Sequence, residues 1–291
     1  MRNRLLVSLS IAAIITLLEV IGGILSNSLA LLGDAGHVGT DALSLAIAAV
    51  AMTLATKPHT VTSTYGYHRV EVFTAMVNGT TLFLVAGYIL YEGYSRILSP
   101  PRVEGSLLLV VAVIGLAANL VMMFLLRKGS MVNINIRGAF LHVLSDTLGS
   151  VGVITGGIVV ITTRLFVIDA IIATLIGLLI LRGGIGVVKD SIRILLEQAP
   201  KDIELVKLKE EIMKVDGVKS VHDLHVWSLT TGINIMSVHV GVDVHHRDHD
   251  VIDALSRILR EKFSIAHTTI QIEHPDNDGD AVAVNINRSD T

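Results

Sequence analysis

Cysteine is absent from the 291 residues, and with it go disulfides and every metal site built on thiolates. Charge is sparse as well. Only 17% of the residues are Asp, Glu, Lys or Arg, and the net charge of -3 comes with no basic stripe, which leaves nothing to attract nucleic acid. What fills the chain instead is apolar, at 51% of residues, with a strongly positive mean hydropathy that is unusual for a water-soluble domain of this size. The apolar residues dominate to about residue 196, after which charged and polar residues are mixed in. That division predicts a bilayer part over 1–196 and a soluble part over 197–291.

The opening "MRNRLLVSLSIAAIITLLEVIGGIL" has a basic start and an apolar stretch of ~20 residues, longer than a signal-peptide core and without an A-x-A-like end. It reads as a retained first span. Six runs are long enough to cross ~30 Å of hydrocarbon: Leu5–Leu25, Leu29–Ala55, Val70–Leu98, Ser106–Leu126, Ile134–Ile161 and Phe166–Val188. The joints carry breakers such as "SNS", "TKPHTVTSTYG", "SPPRVEG" and "RKGS". Arg2, Arg4, Lys57, Arg69, Arg127, Lys128, Arg137 and Lys189 flank one side, against Arg96, Arg102 and Arg164 on the other. The positive-inside rule then puts both termini and the tail in the cytoplasm. Glycines in "VIGG", "GSVGVITGG" and "RGGIGVV" suit close helix packing in lipid.

Two histidine–aspartate pairs sit where hydration is lost, in "DAGHVGTD" at 34–41 and "LHVLSD" at 141–146. On a helix, positions i and i+4 share a face, so His37 aligns with Asp41 and His142 with Asp146. Counting 1.5 Å per residue puts both aspartates roughly 20 Å from the cytoplasmic edge. Together the pairs offer two imidazoles and two carboxylates, a tetrahedral set suited to zinc and usable by cobalt or cadmium. The bland alternative is that each histidine merely bonds its own aspartate. An ionised group at mid-bilayer costs ~2.5–3.5 kcal/mol even on the lenient insertion scale, so two matched pairs at one depth favour a site. "GDAGHVGTDAL" and "GAFLHVLSDTL" also share Gly33/Gly138, Val38/Val143 and Leu43/Leu148. A three-span repeat would be inverted, a common design for alternating access.

After "EQAPKD" the pattern predicts a helix over Ile203–Val215, strands over Val218–Leu229 and Ile233–Val244 around "TTGI", a helix over Asp248–Phe263 and a last strand over Thr268–Glu273. The order αββαβ is a ferredoxin-like sheet lacking its first strand. Met236, Val238, Val240 and Val242 share the core face of the second strand, so period 2 turns His239 the other way. In the last strand Ile270 and Ile272 face inward, leaving His267 and Glu273 outward. A His and a Glu on neighbouring strands could share a metal with His222; the competing reading is a solvated polar face. "HHRDH" at 245–249 reads as a solvated helix entrance with Asp248 as N-cap, and Trp227 as core or dimer contact.

With "HVGTD" and "HVLSD" in the second and fifth of six spans, "YGYHRVE" entering the third, and "VHDLHVWSL" and "TTIQIE" in the tail, the sequence resembles the cation diffusion facilitator family of metal/proton antiporters. The resemblance implies a homodimer exporting zinc from the cytosol in exchange for protons, with the His/Asp version of both pairs typical of the zinc-preferring branch. It implies tail zinc ligands at His222, His239 and Glu273, with His274, Asp276 and His267 as alternatives because the register there is open by one residue. Arg69 and Glu197 match family positions that form a charge pair between the third span and the start of the tail; the alternative is that both anchor helix ends at the interface. Ser63 and Tyr67 stand where some members place metal-binding histidines before the third span, so no site is expected there, and His59 and His68 read as solvated loop residues.

The expectation is therefore a zinc/proton antiporter, not an enzyme, in the cell membrane. One rival is an intramembrane metalloenzyme, which lacks H-E-x-x-H and a general base beside the cluster. The other is a membrane-anchored metal sensor, for which the intramembrane pairs would serve no purpose.

Overall fold

The computed structural model describes the backbone of residues 2–40, 60–130 and 134–274, and side chains over 10–40, 60–125, 143–144 and 146–274. The chain divides into two compact units, Met1–Asp190 and Ser191–Thr291.

The first unit is helical. It holds α1 (Arg2–Ser26), α2 (residues 29–40), α3 (Arg69–Leu98), α4 (Gly105–Ser130), α5 (Ile134–Thr163) and α6 (Val167–Leu195), the last running past the division. Among the described residues four helices are long and apolar enough to cross a membrane, α3 to α6, while α1 contributes a shorter apolar segment, Ser10–Ser26. The part of the expected second span beyond residue 40 lies outside the described residues. The expected sixth span stops at Val188, but α6 continues to Leu195. Hydropathy marks where lipid ends, whereas the helix itself runs on until Glu197 takes a positive φ of 56° and Pro200 comes after it.

Packing explains the composition. Leu29, Leu31, Leu82, Ala86, Ile89, Leu108, Ala112, Val153, Val160, Ala173 and Ile180 form a buried core, while Phe83, Leu84, Phe124, Leu175 and Leu179 point outward. Water would penalise that outer surface; lipid solvates it. Small residues allow the helices to meet at backbone distance. A Cβ on Gly184 would lie 3.1 Å from the Gly79 carbonyl oxygen, and one on Gly79 2.8 Å from a Val188 methyl, so α3 and α6 cross at this point.

The second unit is αββαβ: α7 (Leu205–Met213), β1 (Val218–Thr230), β2 (Ile233–Val242), α8 (Asp248–Phe263) and β3 (Ile265–Glu273). The sheet order is β1-β2-β3, with β1 antiparallel and β3 parallel to β2. Met236, Val238, Val240 and Val242 are buried on one face of β2 against Leu208 and Ile212 of α7 and Val251, Leu255 and Leu259 of α8, as the period-2 pattern requires. Asp248 is not the N-cap of α8. Arg247 holds that position with extended backbone angles and no side-chain cap, since a guanidinium has no acceptor to offer, and the Asp248 carboxylate, one residue inside the helix, meets the His274 ring at 3.0 Å.

Candidate metal centres

The first centre depends on how α2 begins. Ser28 precedes the helix and its hydroxyl accepts the Leu31 N–H at 3.1 Å, an N-cap bond. Asp169, near the start of α6 and only 2% exposed, accepts the Ser28 hydroxyl at 2.5 Å and the Leu29 N–H at 2.7 Å. A carboxylate at a helix N-terminus meets both the unpaired N–H groups and the positive end of the dipole. This clamp ties α6 to α2 and fixes the register of the later α2 residues, His37 among them. Sequence reasoning passed over Asp169, although an ionisable residue in an apolar run was the available signal.

Two turns into α2, His37 Nε2 lies 3.9 Å from Asp146 Oδ1 on α5. Asp146 is buried, with 5% of its side chain exposed, and His37 is partly open at 32%. Thus one member of each sequence pair meets a member of the other across two helices. Two ligands of a tetrahedral zinc stand about 3.4 Å apart when each is about 2.1 Å from the metal, so the gap is slightly wide for a shared ion. The backbone of His142 lies in α5; its side chain, and Asp41 altogether, lie outside the described residues.

Further acids surround this pair. Glu19 of α1 is 2% exposed and Asp34 of α2 is 5% exposed. Asp34 and Asp146 both act electrostatically on Glu19, and Asp34 is within hydrogen-bond reach of Ser150 on α5. Neither Glu19 nor Asp34 was singled out from sequence, though both carried the same signal as Asp169.

The second centre is on the sheet of the tail. His222 and His239 are directly opposed on β1 and β2, and Gln271 and Glu273 of β3 run alongside. One Glu273 oxygen lies 3.1 Å from His222 Nε2 and the other 2.9 Å from His239 Nδ1. Ligand atoms of the three residues all fall within 4.8 Å of one another, the one such group of three among the described residues. Two imidazoles and a carboxylate converging on one point fit a zinc ion chemically. Beside them β1 bulges between His222 and His225, where Asp223 adopts a φ of 50°. Its carboxylate reaches His225 Nε2 at 3.0 Å and His239 Nε2 at 3.6 Å. Bulges re-aim side chains in this way, and no periodicity in the sequence announces one.

The alternatives fall elsewhere. His274 turns to the Val242 carbonyl at 3.2 Å and to Asp248, His267 lies opposite Ile235, well up the strand from the trio, and Asp276 is outside the described residues. Arg69 opens α3, and Glu197 lies just past α6.

Comparison with known proteins agrees with this two-part plan. Residues 5–196 match the cation efflux transmembrane domain, and residues 200–275 match the cytoplasmic domain of cation efflux proteins. The chain is 43% identical over 268 residues to the metal cation efflux system protein CzcD of Cupriavidus metallidurans, covering 92% of this chain and 85% of that one. It is 42% identical over 265 residues to the cadmium, cobalt and zinc/H(+)-K(+) antiporter of Bacillus subtilis, covering 88% and 84%. To the zinc transporter ZitB of Escherichia coli it is 39% identical over 275 residues, covering 94% and 87%. With both parts matched and relatives aligned over most of their length, the chain belongs to the cation diffusion facilitator family of cation efflux proteins.

Proposed function

We propose that this multi-pass membrane protein exports zinc from the cytosol in exchange for protons, by alternating access around a mid-membrane site made of His37, Asp41, His142 and Asp146. The observation that carries the site is the approach of His37 on α2 to buried Asp146 on α5. Zinc as cargo is supported by relatives named for zinc, cadmium and cobalt, and proton exchange by the antiporter names among them. The relatives are named as transporters, so the chain is a transporter and not an enzyme or an anchored sensor.

To take zinc the imidazoles must be neutral and the carboxylates ionised. Facing outward, protons compete with the metal for the same ligand atoms. The proton is both competitor and driving ion.

In the tail His222, His239 and Glu273 hold a resident zinc, which when bound cross-links β1, β2 and β3. The tail also joins two copies into a homodimer, as the cytoplasmic-domain match supports. Residues 1–196 then form the transporting part and 197–291 the cytoplasmic one, with both termini on the cytoplasmic side of the cell membrane.

Purified protein in sealed liposomes, loaded with a pH-sensitive dye and given zinc, cadmium, cobalt and manganese in turn, tests this reading. Zinc entry accompanied by proton exit is the expected result. Zinc entry without any proton movement, or no metal entry at all from folded protein, would overturn it.

A further inference from the structure

We propose that Glu19 and Asp34 form a second, all-oxygen station for the divalent cation, one step beyond the His37/Asp146 pair toward the end of the bundle that bears the α1–α2 turn. This inference rests on the efflux reading, since it gives the exported ion a place to go. Glu19 lies seven residues before the end of α1 and Asp34 five residues after the start of α2, so at 1.5 Å per residue each is about 8–10 Å from that turn. They stand at one level on adjacent helices. His37 is three residues deeper along α2.

Three observations make this more than a cluster of acids. Glu19 is almost fully buried, at 2% exposure, and its Oε2 has no hydrogen-bond partner among the described residues. The charged groups acting on it are Asp34 and Asp146, both acidic. Such a carboxylate has given up water without gaining a donor, a cost that only a bound cation or a proton removes.

The surroundings are also shaped for it. Glycine at 115 lets α4 come against the carboxylate, since a Cβ there would be 2.6 Å from Glu19 Oε1. Ser150 brings an oxygen within reach of Asp34 but also bonds the Asp146 carbonyl at 3.1 Å. Its single proton cannot serve both, so Asp34 is left short of a donor whenever Ser150 turns to α5.

Carboxylates and a hydroxyl make a harder set than one containing imidazole, and they hold zinc less tightly. A weaker site placed on the exit side accepts the ion from the tighter pair and gives it up to water. Asp34, near Asp146 and Glu19 alike, is the bridge between the two stations.

The test is radioactive zinc binding at equilibrium to full-length protein carrying His222→Ala, His239→Ala and Glu273→Ala, with and without Glu19→Gln, alongside transport in liposomes. The parent should show a tighter and a weaker class of zinc, and Glu19→Gln should remove the weaker class alone. Turnover should fall at least about tenfold while the zinc KM on the cytosolic face stays within about threefold, and Glu19→Asp should restore most of both readings. An identical zinc count with and without Glu19→Gln would overturn the proposal. If instead Glu19→Gln keeps the count but abolishes the pH dependence of transport, Glu19 carries a proton and the cation station is wrong. Failure of the efflux reading looks different: the unsubstituted full-length protein would then move no zinc at all.

Discussion

The two clusters of histidine and carboxylate differ in geometry and in what their geometry is worth. In the tail, Glu273 touches both imidazoles at 2.9–3.1 Å and the ring centroids are 5.4 Å apart, whereas in the membrane the contact is 3.9 Å. Yet the tail side chains are 23–53% exposed and Asp146 is 5% exposed. Where water is at hand, a histidine–glutamate pair forms at little cost and holds together without a metal, as surface ion pairs do for ~0–1 kcal/mol. In lipid an ionised aspartate without a cation costs ~2.5–3.5 kcal/mol or more. The better-formed cluster is therefore the weaker argument for an indispensable ion, and the looser one the stronger.

The sharpest way to break that contrast is to remove a membrane ligand. Asp41→Ala and Asp146→Ala should each lower zinc flux by more than about 100-fold while leaving the protein folded, since losses of mere supporting groups already cost 10–100-fold in affinity or activity. Stopped-flow flux with a zinc dye reads this, and undiminished flux in either would move the transport site elsewhere. A gentler change keeps a ligand but alters its kind. His142→Asp should raise the manganese-to-zinc flux ratio about tenfold, equivalent to ~1.4 kcal/mol of relative preference, because it exchanges an imidazole for a harder oxygen. An unchanged ratio would place selectivity outside this position.

For the tail, the fragment from about Lys201 has a hydrophobic core of its own. Zinc should raise its melting temperature, by the equivalent of ~2.7 kcal/mol at a hundredfold excess over Kd. Replacing His222, His239 and Glu273 together by alanine should abolish that shift yet leave transport in the full-length protein. A variant that no longer transports would put the tail in the ion's path.

The smallest effect expected is electrostatic. Glu211, between Lys214 and Lys262, is held down to about 2 by hydrogen bonds from both lysines. A carboxylate lowered on folding adds stability that is present above the usual carboxylate range and lost as the pH falls toward that value. Wild-type fragment should thus lose slightly more thermal stability than Glu211→Gln between about pH 4.5 and 2. Equal losses would mean that the two lysines contribute nothing there.

Much of this was legible in one dimension and some of it was not. Apolar runs located α3 to α6 to within a few residues at most ends, because lipid demands length, and the failure at Val188 arose where lipid stops and helix does not. Period 2 along β2 separated Val238 from His239 and led to the tail trio. What the sequence could not display is which helix faces which: the Asp169–Ser28 clamp joins residues 141 positions apart, and Glu19, Asp34 and Asp146 come from three different helices. Asp223 escaped because a bulge breaks the alternation that strand reading relies on, and at Asp248 the helix begins one residue earlier than the acidic cap signal suggests.

The central claim is that two histidines and two aspartates of the membrane unit hold the transported ion. The zinc X-ray absorption spectrum of full-length protein lacking the three tail ligands tests it most directly. With no more than one zinc per chain, so that the tighter site alone is filled, four nitrogen and oxygen neighbours at about 2.0–2.1 Å are expected, with the scattering signature of two imidazoles that falls to one in His37→Ala and in His142→Ala. Zinc bound without imidazole, or a spectrum unchanged by both substitutions, would contradict it.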